Sequence, residues 1–133
     1  MLVRPRRGQG TFRALVTNAY DRRCAITGES TLPVLDAAHI KPISAEGMHN
    51  TCNGLLLRSD FHKLFDASLV TVTPEYRVLV SSRITEQWFN GKVYNQLHGE
   101  QLRSLPKAVE DRPRGDFLHW HNENVFEKGV RGV

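Results

Sequence analysis

The chain has 133 residues, 40% of them hydrophobic, which suits one domain with a modest core, and its formal charge of +4 with a pI near 9.4 is compatible with a polyanionic partner without requiring one. Two cysteines, Cys24 and Cys52, exclude a disulfide framework and a Cys-x-x-Cys metal pair. No apolar run reaches the roughly 18–20 residues of a bilayer span, and the N-terminus lacks the apolar centre of a signal peptide, so the expectation is a soluble protein of the reducing cytoplasm with no membrane partner.

Residues 1–10 carry Arg4, Arg6 and Arg7 among Pro5, Gly8 and Gly10, which reads as a basic arm or linker. A helix is expected over 11–20, capped by Thr11, with Phe12, Leu15, Val16 and Ala19 on one stripe. A short strand over 24–27 and a turn at 28–30 follow. The apolar run Val34, Leu35, Ala37, Ala38, Ile40 predicts a buried strand that places His39 near its end, and Leu55-Leu56-Leu57 after Asn53-Gly54 predicts a second. Between them, residues 41–52 form a long loop. Its His49 has no partner at a useful spacing and reads as solvent-exposed or at most a substrate contact.

Ser59-Asp60 is the expected cap of a helix with Phe61, Leu64 and Phe65 at helical spacing, so that His62 and Asp66 share a face. Beyond it come a hairpin over 68–80 turning at Pro74-Glu75, short helical or irregular pieces over 83–89 and 93–97, and an extended Pro- and Arg-rich surface segment over 102–114. A final helix from Asp116 to about Phe126 should pack Phe117, Trp120 and Phe126. His98 is read as structural, and the position of His121 relative to the rest is left open.

The blocks Ala-His-Ile-Lys-Pro at 38–42, Asn-Gly-Leu-Leu-Leu at 53–57 and His-Lys-Leu-Phe-Asp at 62–66 resemble the HNH endonuclease family, in its bacterial restriction-type branch. The flanks Arg23-Cys24-Ala25-Ile26-Thr27-Gly28 and Trp120-His121-Asn122 are similar as well. The resemblance implies an α+β fold, a single domain over 11–133 built around a ββα-metal (His-Me finger) motif at 34–66, with flanking helices and a β-hairpin. A first half of a zinc knuckle is visible at Cys24, but Thr27 stands where a second cysteine would, so no structural zinc is expected there. Cys24 reads as a small buried hydrophobe.

Phosphodiester hydrolysis needs an activated water and a cation to neutralise charge on the phosphate and the departing 3′ oxygen. By the resemblance His39 is the general base, suited by an ordinary pKa of about 6.5, and Asn53 holds its loop or the base in position. His62 and Asp66 would ligate a divalent ion, Mg²⁺ or Mn²⁺, with Ni²⁺ or Zn²⁺ also able to enter. Better-known members place a further ligand directly before the base. Here that place is Ala38, and Asp36, on the same side of a regular strand, is the best substitute, against a bland reading as a carboxylate paired with an arginine.

Lys41, Arg58 and Lys63 are candidate phosphate contacts. The partner implied is DNA, most simply duplex with RNA left open, together with a fused or separate DNA-sensing domain; a dimer is also open. The competing reading is a noncatalytic DNA-binding or zinc-stabilised structural module of the same fold.

Overall fold

The computed structural model describes residues 9–129. In chain order it runs α1 (Gln9–Ala19), β1 (Leu35–His39), β2 (Gly54–Arg58), α2 (Ser59–Asp66), β3 (Val70–Val72), β4 (Val78–Val80), α3 (Arg83–Trp88), α4 (Lys92–Asn95) and α5 (Gly115–Asn124). β1 pairs antiparallel with β2, Asp36 opposite Leu57, Ala38 opposite Leu55 and His39 opposite Gly54; β3 and β4 form a second antiparallel pair. The basic arm expected over 1–10 lies outside the described residues except for its last two positions, which already belong to α1.

The β1–β2 hairpin is apolar because helices cover it. Leu55, Leu56 and Leu57 are all fully buried, as a strand covered on both faces requires. His39 and Asp36 are three residues apart on β1 and so point to opposite faces. His39 meets Phe12 of α1, while Asp36 meets His62 of α2. Phe12, Val16 and Tyr20 are buried against the hairpin, but Leu15 is 48% exposed, so the stripe on α1 is narrower than its periodicity suggested.

Gly54 sets how closely α1 can approach. A Cβ there would stand 2.5 Å from Val16 Cγ2 and 3.1 Å from Phe12 Cζ. Its backbone is ordinary extended chain, so the requirement is for space alone. The buried Tyr20 hydroxyl donates to the Gly54 carbonyl at 2.8 Å, closing the same contact from the other end of the helix.

Several local expectations change. Residues 24–27 form a turn, not a strand, because Gly28 N–H returns to the Cys24 carbonyl and the Cys24 sulfur accepts the amides of Thr27 and Arg58 at 3.4 and 3.3 Å. Cys24 itself is fully buried. Arg58, not Ser59-Asp60, holds the cap position of α2, because Ser59 Oγ donates to the Val34 carbonyl and Asp60 is taken by Arg58. Asp116 likewise lies inside the first turn of α5, paired with Arg114. In that helix Leu118 and His121 are buried with Phe117, whereas Trp120 is only partly covered. The 102–114 segment is largely irregular but not simply superficial, since Leu102, Pro106 and Pro113 are buried.

Gly54→Ala should lower stability by about 1–3 kcal/mol, the usual cost of overpacking, because Val16 and the Phe12 ring are on a helix that must shift as a unit. Urea unfolding of the two proteins measures it, and an unchanged midpoint would show that α1 slides without cost.

Candidate active site

A cavity of about 730 Å³ opens beside β1, lined by Phe12 and Arg13 of α1, Ala37, His39 and Ile40, His62 and Asp66 of α2, and His121 and Val125 at the far end of the chain. It draws on β1 and on no residue of β2. The end of β1 thus brings His39, and α2 brings His62, to one space.

His39 is held on two sides. The Phe12 ring stacks on it at 3.9 Å between centroids and 5° between planes, and its Nε2 lies 3.0 Å from Nδ1 of His49. Burial, and then the neighbouring His49, push its pKa below the ordinary histidine value, with His62 adding to this and Asp66 opposing it. The ring is therefore neutral at pH 7 and can accept a proton.

Asn53 is completely buried and spends its carboxamide on the loop between the strands. Its Oδ1 accepts from Lys41 N–H at 2.9 Å, and its Nδ2 donates to the carbonyls of Lys41 and Met48, each at 2.9 Å. One side chain thus ties the first residues after β1 to the residue preceding His49.

The helix pair sits opposite. His62 Nδ1 is 3.0 Å from Asp36 Oδ2, and His62 Nε2 is 3.2 Å from Asp66 Oδ2. Asp36 is paired with His62 and not with an arginine. Hydrogen bonding to Asp66 first, and to Asp36 next, outweighs the effect of burial and raises the His62 pKa to about 9. Asp66 faces the cavity with a side chain 64% exposed, whereas Asp36 lies behind the ring and does not line the cavity.

Two carboxylates and an imidazole have the donor chemistry of a divalent-cation site. As placed, however, they bond to one another, and among the described residues no three acidic, histidine or cysteine side chains are grouped so as to hold an ion. Chemically the group fits a cation once His62 gives up the proton it shares, since either nitrogen can then serve as ligand while the other keeps a carboxylate partner.

His121 was the open position, and it forms the floor of the cavity. It is buried, stacks on Phe65 at 3.7 Å and 10°, and its Nε2 faces the Phe65 carbonyl at 3.1 Å. A carbonyl only accepts, so Nε2 carries the hydrogen, and Nδ1 accepts from the Thr71 hydroxyl at 2.7 Å. Asn122 Nδ2 donates to that same hydroxyl oxygen at 2.8 Å. Burial lowers the His121 pKa to about 4, so this chain of hydrogen bonds stays neutral. It anchors the backbone one residue before Asp66.

None of the three expected phosphate contacts lines the cavity. Arg58 makes a two-pronged pair with Asp60 at 2.7 and 2.9 Å, Lys41 Nζ stands 5.6 Å from the centre of the Trp120 ring, and Lys63 is exposed on α2. The cation at the cavity wall is Arg13, whose guanidinium donates to the Leu35 carbonyl at 3.3 Å. His49 is only half-exposed and bonds to His39, where the sequence reading had it solvent-exposed or at most a substrate contact. Its only sequence signal was its place in the loop that Asn53 closes. Arg13 was marked by adjacency to Phe12 alone.

Residues 24–73 match the family described as HNH endonuclease. No curated protein sequence matches the chain. Among solved structures, the modification dependent TagI restriction endonuclease superposes with a TM-score of 0.59 at 18% identity, over 92% of this chain and 40% of that one. At that identity the likeness concerns the fold, and the chain spans well under half of that protein.

The metal-free protein should be stabilised by His62 at low pH. The folded state holds this proton more tightly than the unfolded chain, so the contribution is complete below about 6.5 and is lost as pH rises through about 9. Thermal melts in a chelating buffer at about pH 6.5 and about pH 10 should show a decline that His62→Ala flattens; equal slopes in both proteins would mean that the ring is not paired in solution.

Proposed function

Because residues 24–73 carry an HNH endonuclease motif, we propose that this chain is a metal-dependent nuclease module that hydrolyses DNA phosphodiester bonds with His39 as general base. The observation that carries this reading is the single cavity shared by a neutral, half-buried His39 and the His62–Asp66 pair. A water between the base and a phosphate in that space can lose its proton to His39 as its oxygen attacks phosphorus. The bridging ester oxygen leaves with the bonding electrons. Phe12 and the closed loop keep the ring from turning, which limits the geometries the water can adopt.

His62 and Asp66 would hold the ion, Mg²⁺ or Mn²⁺ by the hardness of the carboxylate, while Asp36 keeps the other His62 nitrogen and adds its negative charge from behind the ring. When bound, the ion supplies the positive charge that the phosphate and the departing oxygen require. Arg13 is placed to meet a backbone phosphate at the cavity wall. Lys41 and Lys63 remain candidates for contacts farther along a bound strand, while Arg58 is committed to Asp60. Because the chain spans 40% of a modification dependent restriction endonuclease, we assign sequence or modification sensing to another domain or partner. The setting is a restriction-type defence protein.

One observation favours the alternative of a noncatalytic module: Ala38 is buried and offers no ligand, so the ion depends on His62 leaving its proton. Plasmid nicking with added Mg²⁺ or Mn²⁺ separates the two. Binding without cleavage under every metal would select the module.

His39→Ala should lower cleavage by roughly 10²- to 10⁴-fold, the range for a lost general base, with divalent-ion affinity nearly unchanged. A large loss of metal affinity would reverse the assignment of roles. His62→Ala should do the opposite, with calorimetry showing weakened metal binding and activity partly recovered at high metal concentration. In Asp36→Asn the shape is kept and one charge leaves, so Mg²⁺ affinity should fall much more than the thermal stability of the metal-free protein. Normal cutting by that variant would take Asp36 out of the site.

A further inference from the structure

We propose that His49 is a positioning residue that locks His39 in the tautomer carrying its hydrogen on Nε2, leaving the Nδ1 lone pair to take the proton from water. The inference deepens the reading above and rests on His39 being the base. Two neutral imidazoles 3.0 Å apart, Nε2 to Nδ1, can be joined in only two ways. If His49 donates, His39 accepts at Nε2 and carries its hydrogen on Nδ1, and neither nitrogen can receive another proton while the contact lasts. If His39 donates from Nε2, its Nδ1 is unprotonated and has no hydrogen-bond partner among the described residues. Only the second arrangement leaves a base.

The surroundings hold this contact in place without involving either ring nitrogen. Phe12 fixes the plane of His39 by stacking and meets His49 edge-on, with centroids 6.0 Å apart and planes at 64°. The Asn53 carboxamide, bonded to the Met48 carbonyl, anchors the residue that precedes His49. When water is deprotonated, its hydrogen goes to Nδ1 and its oxygen bonds to phosphorus, while the ester oxygen leaves with the electron pair and is protonated by solvent. His39 becomes an imidazolium whose Nε2 hydrogen still points at His49 Nδ1.

The test is the imidazole nitrogen spectrum, read by long-range ¹H–¹⁵N correlation on the metal-free wild type, His49→Ala and His49→Asn above the histidine titration range. The wild type should show His39 with a protonated Nε2 and a bare Nδ1. His49→Ala should show averaged tautomers, and His49→Asn should restore the wild-type pattern, because the asparagine oxygen offers an acceptor close to where Nδ1 stands. A wild-type His39 protonated on Nδ1, or a pattern unaltered in His49→Ala, would overturn the proposal.

In nicking assays kcat should fall roughly 10- to 100-fold in His49→Ala, comparable to lost outer partners of functional histidines, with KM unchanged and His49→Asn recovering most of the rate. Equal kcat in wild type and His49→Ala would likewise overturn it. Should the wild type cut no DNA at all, the nuclease reading fails, and the spectra alone still decide whether His49 sets the tautomer.

Discussion

The whole site depends on one buried carboxamide. Asn53 makes three hydrogen bonds to the backbone of the loop that follows β1, and every polar atom of its side chain is used. A loop of this length between paired strands would otherwise sample many conformations, each with its own position for His49. Because Asn53 is fully buried, breaking any of these bonds exposes no compensating water, which makes the closed loop the low-energy state. The end of β1, the entry to β2 and the neighbour of His39 are thereby held together by a single side chain.

A second constraint is steric. α1 approaches the hairpin at Gly54, the residue opposite His39, where no side chain intervenes. This brings Phe12 into van der Waals contact with the imidazole and places Arg13 on the rim of the cavity. Burial and the adjacent His49 act in the same direction, keeping His39 uncharged near neutrality. Across the cavity the opposite holds, since two carboxylates embrace His62 and favour its cation or whatever cation replaces the proton. One histidine is kept uncharged and the other sits among negative charge.

The third support comes from the C-terminal helix. His121 joins the end of α2 to β3 through the Phe65 carbonyl and the Thr71 hydroxyl, with Asn122 completing the row. Such a row costs little only when every member is satisfied, and among the described residues no buried side-chain polar atom lacks a partner. The turn that carries Asp66 is therefore fixed from below by residues more than fifty positions away.

How much of this was legible beforehand follows from what each interaction spans. Strand, strand and helix around His39, Asn53 and His62 were readable because the apolar runs and the i, i+4 pair are local patterns, and residues 24–73 are also the part that matches the family. The turn at 24–27 was not, because a run of apolar residues looks alike in a buried strand and in a turn closed by a cysteine sulfur. Nor could spacing reveal His49 beside His39: nine residues of loop lie between them, and the buried Asn53 carboxamide helps decide where the loop returns. Strand alternation put Asp36 on the side of Ala38 as a substitute ligand, yet its place behind His62 and not at the cavity wall depends on how α2 packs. The chain by itself determined which residue types could do hydrolytic chemistry and the order in which local elements present them. The tertiary structure decided which of them share a space, because long-range packing and buried hydrogen bonds, unlike periodicity, leave no mark at fixed intervals in the sequence.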